Sequence, residues 1–332
     1  MFRILKKTAV ETAVAASLVL FVSLGSCSTP AAAAPAGTCV ETSTPEKQWR
    51  CLPMRDGTIL AAQSIPAESD LTIIVLHGVL SNSMGLQKTA RHLHNAANAT
   101  VLSLDLRGHG KSGGRPGDND YIGQYEDDLA DVVKLVRAES KARRPAMRIV
   151  LAGHAVGGGI VMRYAERQKL APVEGYLLFA PDLGWESPTT RKEAPPETDA
   201  KGGPKPEPFM KVDLGRIIKL KAMNAIGMTS SNDQVTLEFN VPKEFAVSRY
   251  TYRAMVTFSP DDYRAAFAAD KRPLLLLAGS KDEAFHAEKY PVALGSRANG
   301  KAMVIEGENH MSVLTNPAAM SAVRDWAQGA FR

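Results

Sequence analysis

Short apolar runs separated by helical periods set the pattern of this chain. Thr72-Ile-Ile-Val-Leu76, Thr100–Leu106, Ile149–Ala152, Gly175–Ala180, Pro273–Leu277 and Lys301–Glu306 are brief and largely aliphatic. That is the signature of strands buried on both faces. Between them the apolar residues recur at helical spacing. A helix is expected over Gly85–Asn98 and another over Tyr125–Arg143, where Leu129, Val132, Val133 and Val136 share a face. The second has its acids early and its bases late, as the helix dipole prefers. Ile160, Val161, Tyr164 and Ala165 continue the theme, and a closing helix begins near Pro317. Strand–helix alternation of this kind predicts an α/β fold: a mostly parallel central sheet with helices on both faces. A turn at Arg55–Thr58 joins two short strands ahead of it, the second running from Thr58 to Ser64.

The alternation breaks between residues 182 and 270. Ser187–Pro208 is rich in Pro, Gly, Lys and Glu and reads as a solvated loop. Phe209–Met228 has helical spacing, with Ile217, Ile218, Leu220, Met223 and Ile226 apolar and Lys211, Arg216, Lys219 and Lys221 basic. It is either a membrane-facing, acyl-gathering lid or an ordinary helix packed on the sheet domain. Val235–Phe239 and Tyr250–Phe258 suit strand and helix equally. The expected organisation is a core built from 53–181 and 271–332, with 182–270 inserted as a cap over the carboxyl ends of the strands, where open sheets place their ligands.

The first 26 residues have the layout of an export signal: Arg3, Lys6 and Lys7, then an apolar stretch from Ala13 to Leu24, then small residues. That stretch is short for a membrane span. Leu24-Gly25-Ser26-Cys27 resembles a bacterial lipobox, which would make Cys27 a lipidated first residue and anchor the chain in the cell envelope. The alternative is simple cleavage in the alanine-rich stretch and release as a soluble secreted or periplasmic protein. Residues 27–52 would then form a tether. Cys39 and Cys51 lie within it, and in an oxidising compartment they are expected to pair, unpaired thiols being the alternative.

Composition adds exclusions. The chain has 332 residues and a formal net charge of +5, part of which belongs to the export signal. The remaining positive charge is too scattered to argue for nucleic acid. Gly157-Gly158-Gly159 lacks the Lys-Ser/Thr of a phosphate loop, and no cofactor is expected. The spacings His92/His94 and His286/Glu288 have no supporting ligand context, so no metal is expected. Oligomeric state is not legible.

Candidate chemistry centres on Gly153-His-Ala-Val-Gly157, which follows a buried strand and opens a helix. The spacing is that of the nucleophile elbow, G-x-S-x-G, with alanine where serine stands. His77-Gly78-Val79, Asp105-Leu-Arg-Gly-His-Gly-Lys-Ser112, Gly279-Ser-Lys-Asp282 and Glu308-Asn-His310 follow other strands in the right order. Together these motifs resemble the α/β-hydrolase superfamily over about residues 53–330. They are most similar to its lysophospholipase and monoacylglycerol-lipase branch (serine aminopeptidase S33-like). The resemblance implies that Ala155 occupies the nucleophile position, that Asp282 orients His310 as general base and acid, and that the N–H groups of Val79 and Val156 form the oxyanion hole. His77, His109, His154, Asp105 and Arg107 are expected to fix loops rather than touch substrate. A methyl group cannot attack a carbonyl, so this chain is expected to be an inactive scaffold for carboxylic acyl esters such as monoacylglycerol or lysophospholipid. It is either the serine-less form of an active enzyme or a non-catalytic relative that binds a lipid or ester-like ligand.

Overall fold

The computed structural model describes residues 37–44, 47–140, 144–167, 169–192 and 208–331. The export signal and Cys27 lie outside the described residues. In the first half of the chain, edge strands β1 (Thr42–Thr44) and β2 (Lys47–Pro53) lead into β3 (Ile59–Ile65) and β4 (Leu71–Leu76). Helix α1 (Gln87–Ala97), β5 (Thr100–Leu104), α2 (Gln124–Ser140), β6 (Arg148–His154), α3 (Val156–Glu166) and β7 (Gly175–Phe179) follow. The inserted stretch holds β8 (Met210–Val212), α4 (Leu214–Ala225), β9 (Val235–Phe239), β10 (Arg249–Thr251), α5 (Tyr252–Met255) and α6 (Tyr263–Ala269). The chain closes with β11 (Leu274–Gly279), α7 (Tyr290–Leu294), β12 (Gly300–Ile305) and α8 (Pro317–Phe331).

Among the described residues, nine strands form one sheet in the order β1-β2-β3-β5-β4-β6-β7-β11-β12. From β5 onwards every pairing is parallel; β1, β2 and β3 join antiparallel. This is the α/β-hydrolase fold. The sheet begins at Thr42, upstream of the expected core boundary at 53, and its second strand carries Cys51, disulfide-bonded to Cys39 with Cα atoms 5.8 Å apart.

Period-two alternation explains why the central strands read as continuous apolar runs. In β4, Ile74 and Leu76 join the core under α2 and α3, while Ile73 and Val75 join the core under α1 and α8. The same split divides Ile149 and Leu151 from Val150 and Ala152 in β6. Both faces are covered, so every second residue has no polar option.

The insertion departs from expectation at its start. Met210–Val212 is a strand, not the first turn of a helix, because it pairs antiparallel with β9, Met210 opposite Phe239. Asp213 then caps the shortened helix, its carboxylate accepting the N–H of Arg216 at 2.9 Å. Strands β8, β9 and β10 form a separate three-stranded sheet. Tyr250–Phe258 divides between strand β10 and helix α5, with Thr251, the last residue of the strand, as the helix N-cap. Among the described residues no helix is long and apolar enough to cross a membrane.

Candidate active site

The elbow is made by glycines that leave no room for anything larger. A methyl on Gly153 would lie 2.3 Å from the carbonyl of Gly157, and one on Gly157 would lie 2.6 Å from the carbonyl oxygens of Leu76 and His77. Strand β6 and helix α3 therefore approach closely enough to throw Ala155 into φ +50°, ψ −118°. A residue with a Cβ avoids that region, and holding it there costs roughly 1–3 kcal/mol. The conformation is fixed from both sides. The N–H of Ala155 donates to the Phe179 carbonyl at 3.0 Å, and its own carbonyl accepts from Gly159 at 3.1 Å and Asp182 at 2.9 Å.

The loop after β4 lies against this turn. A methyl at Gly78 would stand 3.2 Å from the Ala155 methyl, so residues 77–79 pass directly beside the nucleophile position. Val156 is the first residue of α3, where backbone N–H groups have no intrahelical acceptor. Among the described residues, neither the Val79 nor the Val156 N–H has a protein acceptor. Unengaged N–H donors in residues next to a buried methyl are the kind of group an oxyanion would need.

Asp282 and His310 lie on the loops that follow the adjacent strands β11 and β12. Gly279 allows their loops to meet: a Cβ there would be 2.2 Å from the Glu308 carbonyl, to which the Lys281 N–H donates at 2.8 Å. His310 Nδ1 donates to Asp282 Oδ2 at 2.9 Å. The other carboxylate oxygen accepts the N–H groups of Ala284 at 2.8 Å and Phe285 at 2.9 Å. Burial pushes the Asp282 carboxyl up, but His310 and these two N–H groups outweigh it and hold it below its ordinary value. The acid therefore stays ionised and orients the imidazole through its Nδ1–H.

His154, one residue before the nucleophile position, ties this pair to the elbow. Its Nε2–H donates to the His310 carbonyl at 3.1 Å, and the two rings lie 4.4 Å apart. Burial drives its pKa down to about 3, so it is a neutral donor. Ala155, Asp282 and His310 are thus gathered at one end of the sheet, with Val79 and Val156 beside them.

The other sequence candidates are engaged in loop structure. His77 Nδ1–H donates to the Gly78 carbonyl at 2.8 Å while Nε2 accepts from the Leu106 N–H at 3.1 Å. Asp105 accepts the N–H groups of Ser83 at 2.6 Å and Lys111 at 2.8 Å. Arg107 forks onto Asp128 at 2.8 and 2.6 Å and reaches Asp56 at 2.8 Å. His109 Nδ1–H donates to the Arg107 carbonyl at 2.9 Å. Among the described residues, no cluster of three or more His, Cys, Asp or Glu is arranged to hold a metal. Sequence reasoning missed three partners. They are the Glu283 carboxylate on the His310 N–H, Arg191 on the Asp282 carbonyl, and Tyr250, whose hydroxyl meets His109 Nε2 at 3.1 Å. None carries a local motif; each is brought in by the fold.

Residues 67–310 match the family model described as serine aminopeptidase, S33. A monoacylglycerol lipase of Mycolicibacterium smegmatis is 28% identical over 95 residues, 29% of this chain and 32% of that one. The match thus spans about a third of that relative's length. An AB hydrolase superfamily protein of Bacillus subtilis, YisY, is 28% identical over 221 residues, 63% of this chain and 74% of that protein. Among solved structures, a thermophilic esterase from Thermogutta terrifontis superposes with TM-score 0.55 at 17% identity, over 86% of this chain and all of the other. The monoacylglycerol lipase of Paleococcus ferrophilus gives 0.51 at 18% identity, over 82% and 99%. With the family's strand order and the elbow between β6 and α3, this chain belongs to the S33 serine aminopeptidase family, within the esterase- and lipase-type α/β-hydrolases.

Proposed function

We propose that this chain is a serine-hydrolase scaffold for carboxylic esters with an acyl chain, such as monoacylglycerol or lysophospholipid, left without its nucleophile by Ala155. The carrying observation is the 2.9 Å His310–Asp282 pair, roofed by the His154 ring and set beside a strained elbow. In a form with serine at 155, the hydroxyl attacks the ester carbonyl while its proton passes to His310 Nε2. Charge on the carbonyl oxygen collects at the N–H groups of Val79 and Val156. The alcohol leaves with the proton from His310, and water cleaves the acyl-serine by the same steps in reverse roles. Loss of the serine costs roughly 10⁶ in rate, so the alanine chain retains only slow background chemistry.

Two observations favour a lipid over a small soluble ester. The names of the mycobacterial relative and the Paleococcus structure both specify monoacylglycerol. Within the insertion, Phe209, Leu214, Ile218 and Ile226 are each more than half exposed, beside basic Arg216, Lys219 and Lys221. An apolar face flanked by cations suits a water–lipid boundary. Lipidation at Cys27 would hold the domain at such a boundary; radioactive palmitate that labels the chain and is lost in Cys27→Ala is the expected result.

The test of the ester-hydrolase reading is fluorophosphonate labelling. Ala155→Ser takes the probe at residue 155 and the alanine chain does not. If the serine form folds yet stays unlabelled, the reading fails. The second reading, a non-catalytic lipid-binding relative, is favoured by Ala155 itself; it predicts an acyl ligand that co-purifies with the alanine chain and remains uncleaved after Ala155→Ser.

A further inference from the structure

The oxyanion loop is held at its two ends by different parts of the molecule. Its first residue, His77, is locked into the core through Gly78 and Leu106. Its far end, Leu80, takes a left-handed φ of +58° and directs its N–H at the hydroxyl of Tyr250, 3.4 Å away. Tyr250 belongs to β10 of the inserted sheet, is fully buried, and packs edge-on against Phe258 with ring centroids 5.0 Å apart. Because an N–H can only donate, the phenol oxygen accepts from Leu80. Its own hydrogen then goes to His109 Nε2 at 3.1 Å, and the His109 ring lies 5.8 Å from the tyrosine ring. His109 completes the run through Nδ1–H to the Arg107 carbonyl. Every proton in the chain has one consistent placement.

We propose that Tyr250 is a positioning residue through which the insertion sets the oxyanion loop: its hydroxyl fixes Leu80, and Leu80 fixes the preceding Val79 N–H. The proposal rests on the ester-hydrolase reading for its catalytic consequence but not for the tether itself. Burial keeps the phenol protonated, with its pKa pushed up to about 12, and drives the His109 ring down to about 3. The link is therefore intact at any pH at which the enzyme would work. A displacement of one residue along a left-handed turn re-aims the N–H of the residue before it. Misalignment of an oxyanion donor weakens transition-state binding more than it weakens substrate binding.

The experiment has two arms, both with Tyr250→Phe, which keeps the ring and removes the hydroxyl. In the Ala155→Ser background, kcat for p-nitrophenyl butyrate is expected to fall about tenfold with KM within about twofold, since the damage is to an oxyanion donor rather than to ester binding. In the full alanine chain, amide hydrogen exchange at Leu80 is expected to accelerate while exchange in β4 and β6 stays as before. Unchanged exchange at Leu80 overturns the tether. Accelerated exchange with an unchanged kcat overturns its catalytic role, as does a joint shift of kcat, KM and Tm, which marks plain structural damage. Should Ala155→Ser prove inactive before Tyr250 is touched, the ester-hydrolase reading has failed, and the exchange arm alone decides whether Tyr250 holds the loop.

Discussion

The Nε2–H of His154 donates to the backbone carbonyl of His310, so the residue beside Ala155 holds the proposed general base by its main chain. The side chain of His310 is held separately, by Asp282. With the Glu283 carboxylate on the His310 N–H, these tethers define where the imidazole sits relative to Ala155. In the serine form, His154→Ala should lower kcat by about tenfold, in line with the sensitivity of catalysis to small misplacements. Steady-state kinetics of Ala155→Ser with and without His154→Ala measure this; equal kcat values would show the carbonyl tether to be idle.

Acid stability should carry the mark of three buried imidazoles. Burial lowers the pKa of His77 to about 4 and those of His109 and His154 to about 3. As the pH falls below about 6.5 the unfolded chain takes up protons on these rings while the folded chain does not. Stability is fully present above that value and is lost as the pH falls towards 3–4. Each ring contributes up to about 1.4 kcal/mol per pH unit across its window. Urea midpoints at pH 7 and pH 5 should differ in that direction, and His109→Gln should flatten the dependence.

The strain at Ala155 gives a stability prediction with the opposite sign from most core changes. Glycine has no Cβ penalty at φ +50°. Ala155→Gly should therefore raise the unfolding free energy by about 1 kcal/mol, against the usual cost of introducing glycine. A lower urea midpoint for Ala155→Gly would mean that the turn stores no such strain.

Two other glycines separate packing from propensity. At Gly157 a methyl meets the carbonyl oxygens of Leu76 and His77, so Gly157→Ala should cost about 1–3 kcal/mol. At Gly215, inside α4, the nearest atom to such a methyl is 3.8 Å away, and Gly215→Ala should gain about 0.5–1 kcal/mol. Thermal or urea denaturation of the pair checks both.

The disulfide closes a short loop, Cys39 to Cys51, with a sequence separation of 12, at the edge where the main sheet starts. Replacing both cysteines with serine should lower stability by up to about 3 kcal/mol, the unfolded-chain entropy that a loop of that size returns. Denaturant midpoints with and without the pair read the value.

The sheet was legible because burial on both faces leaves runs such as Ile149–Ala152 only one chemical option. The elbow was legible because glycine alone fits at 153 and 157. Ordered motifs at 77–79, 282 and 310 likewise follow strands directly, so their position in the chain carried their position in space. The insertion gave less away. All three residues of β8 are exposed, so no alternation marks them as a strand. Tyr250 was out of reach for another reason: its contact with Leu80 spans 170 residues and depends on packing, not on any local pattern.

The most direct measurement is the hydrolysis of p-nitrophenyl butyrate by Ala155→Ser beside Ala155→Ser with His310→Ala. Turnover is expected from the first, none above background from the second, and none from the alanine chain. A folded Ala155→Ser chain without turnover, or turnover that survives the loss of His310, would contradict the ester-hydrolase reading.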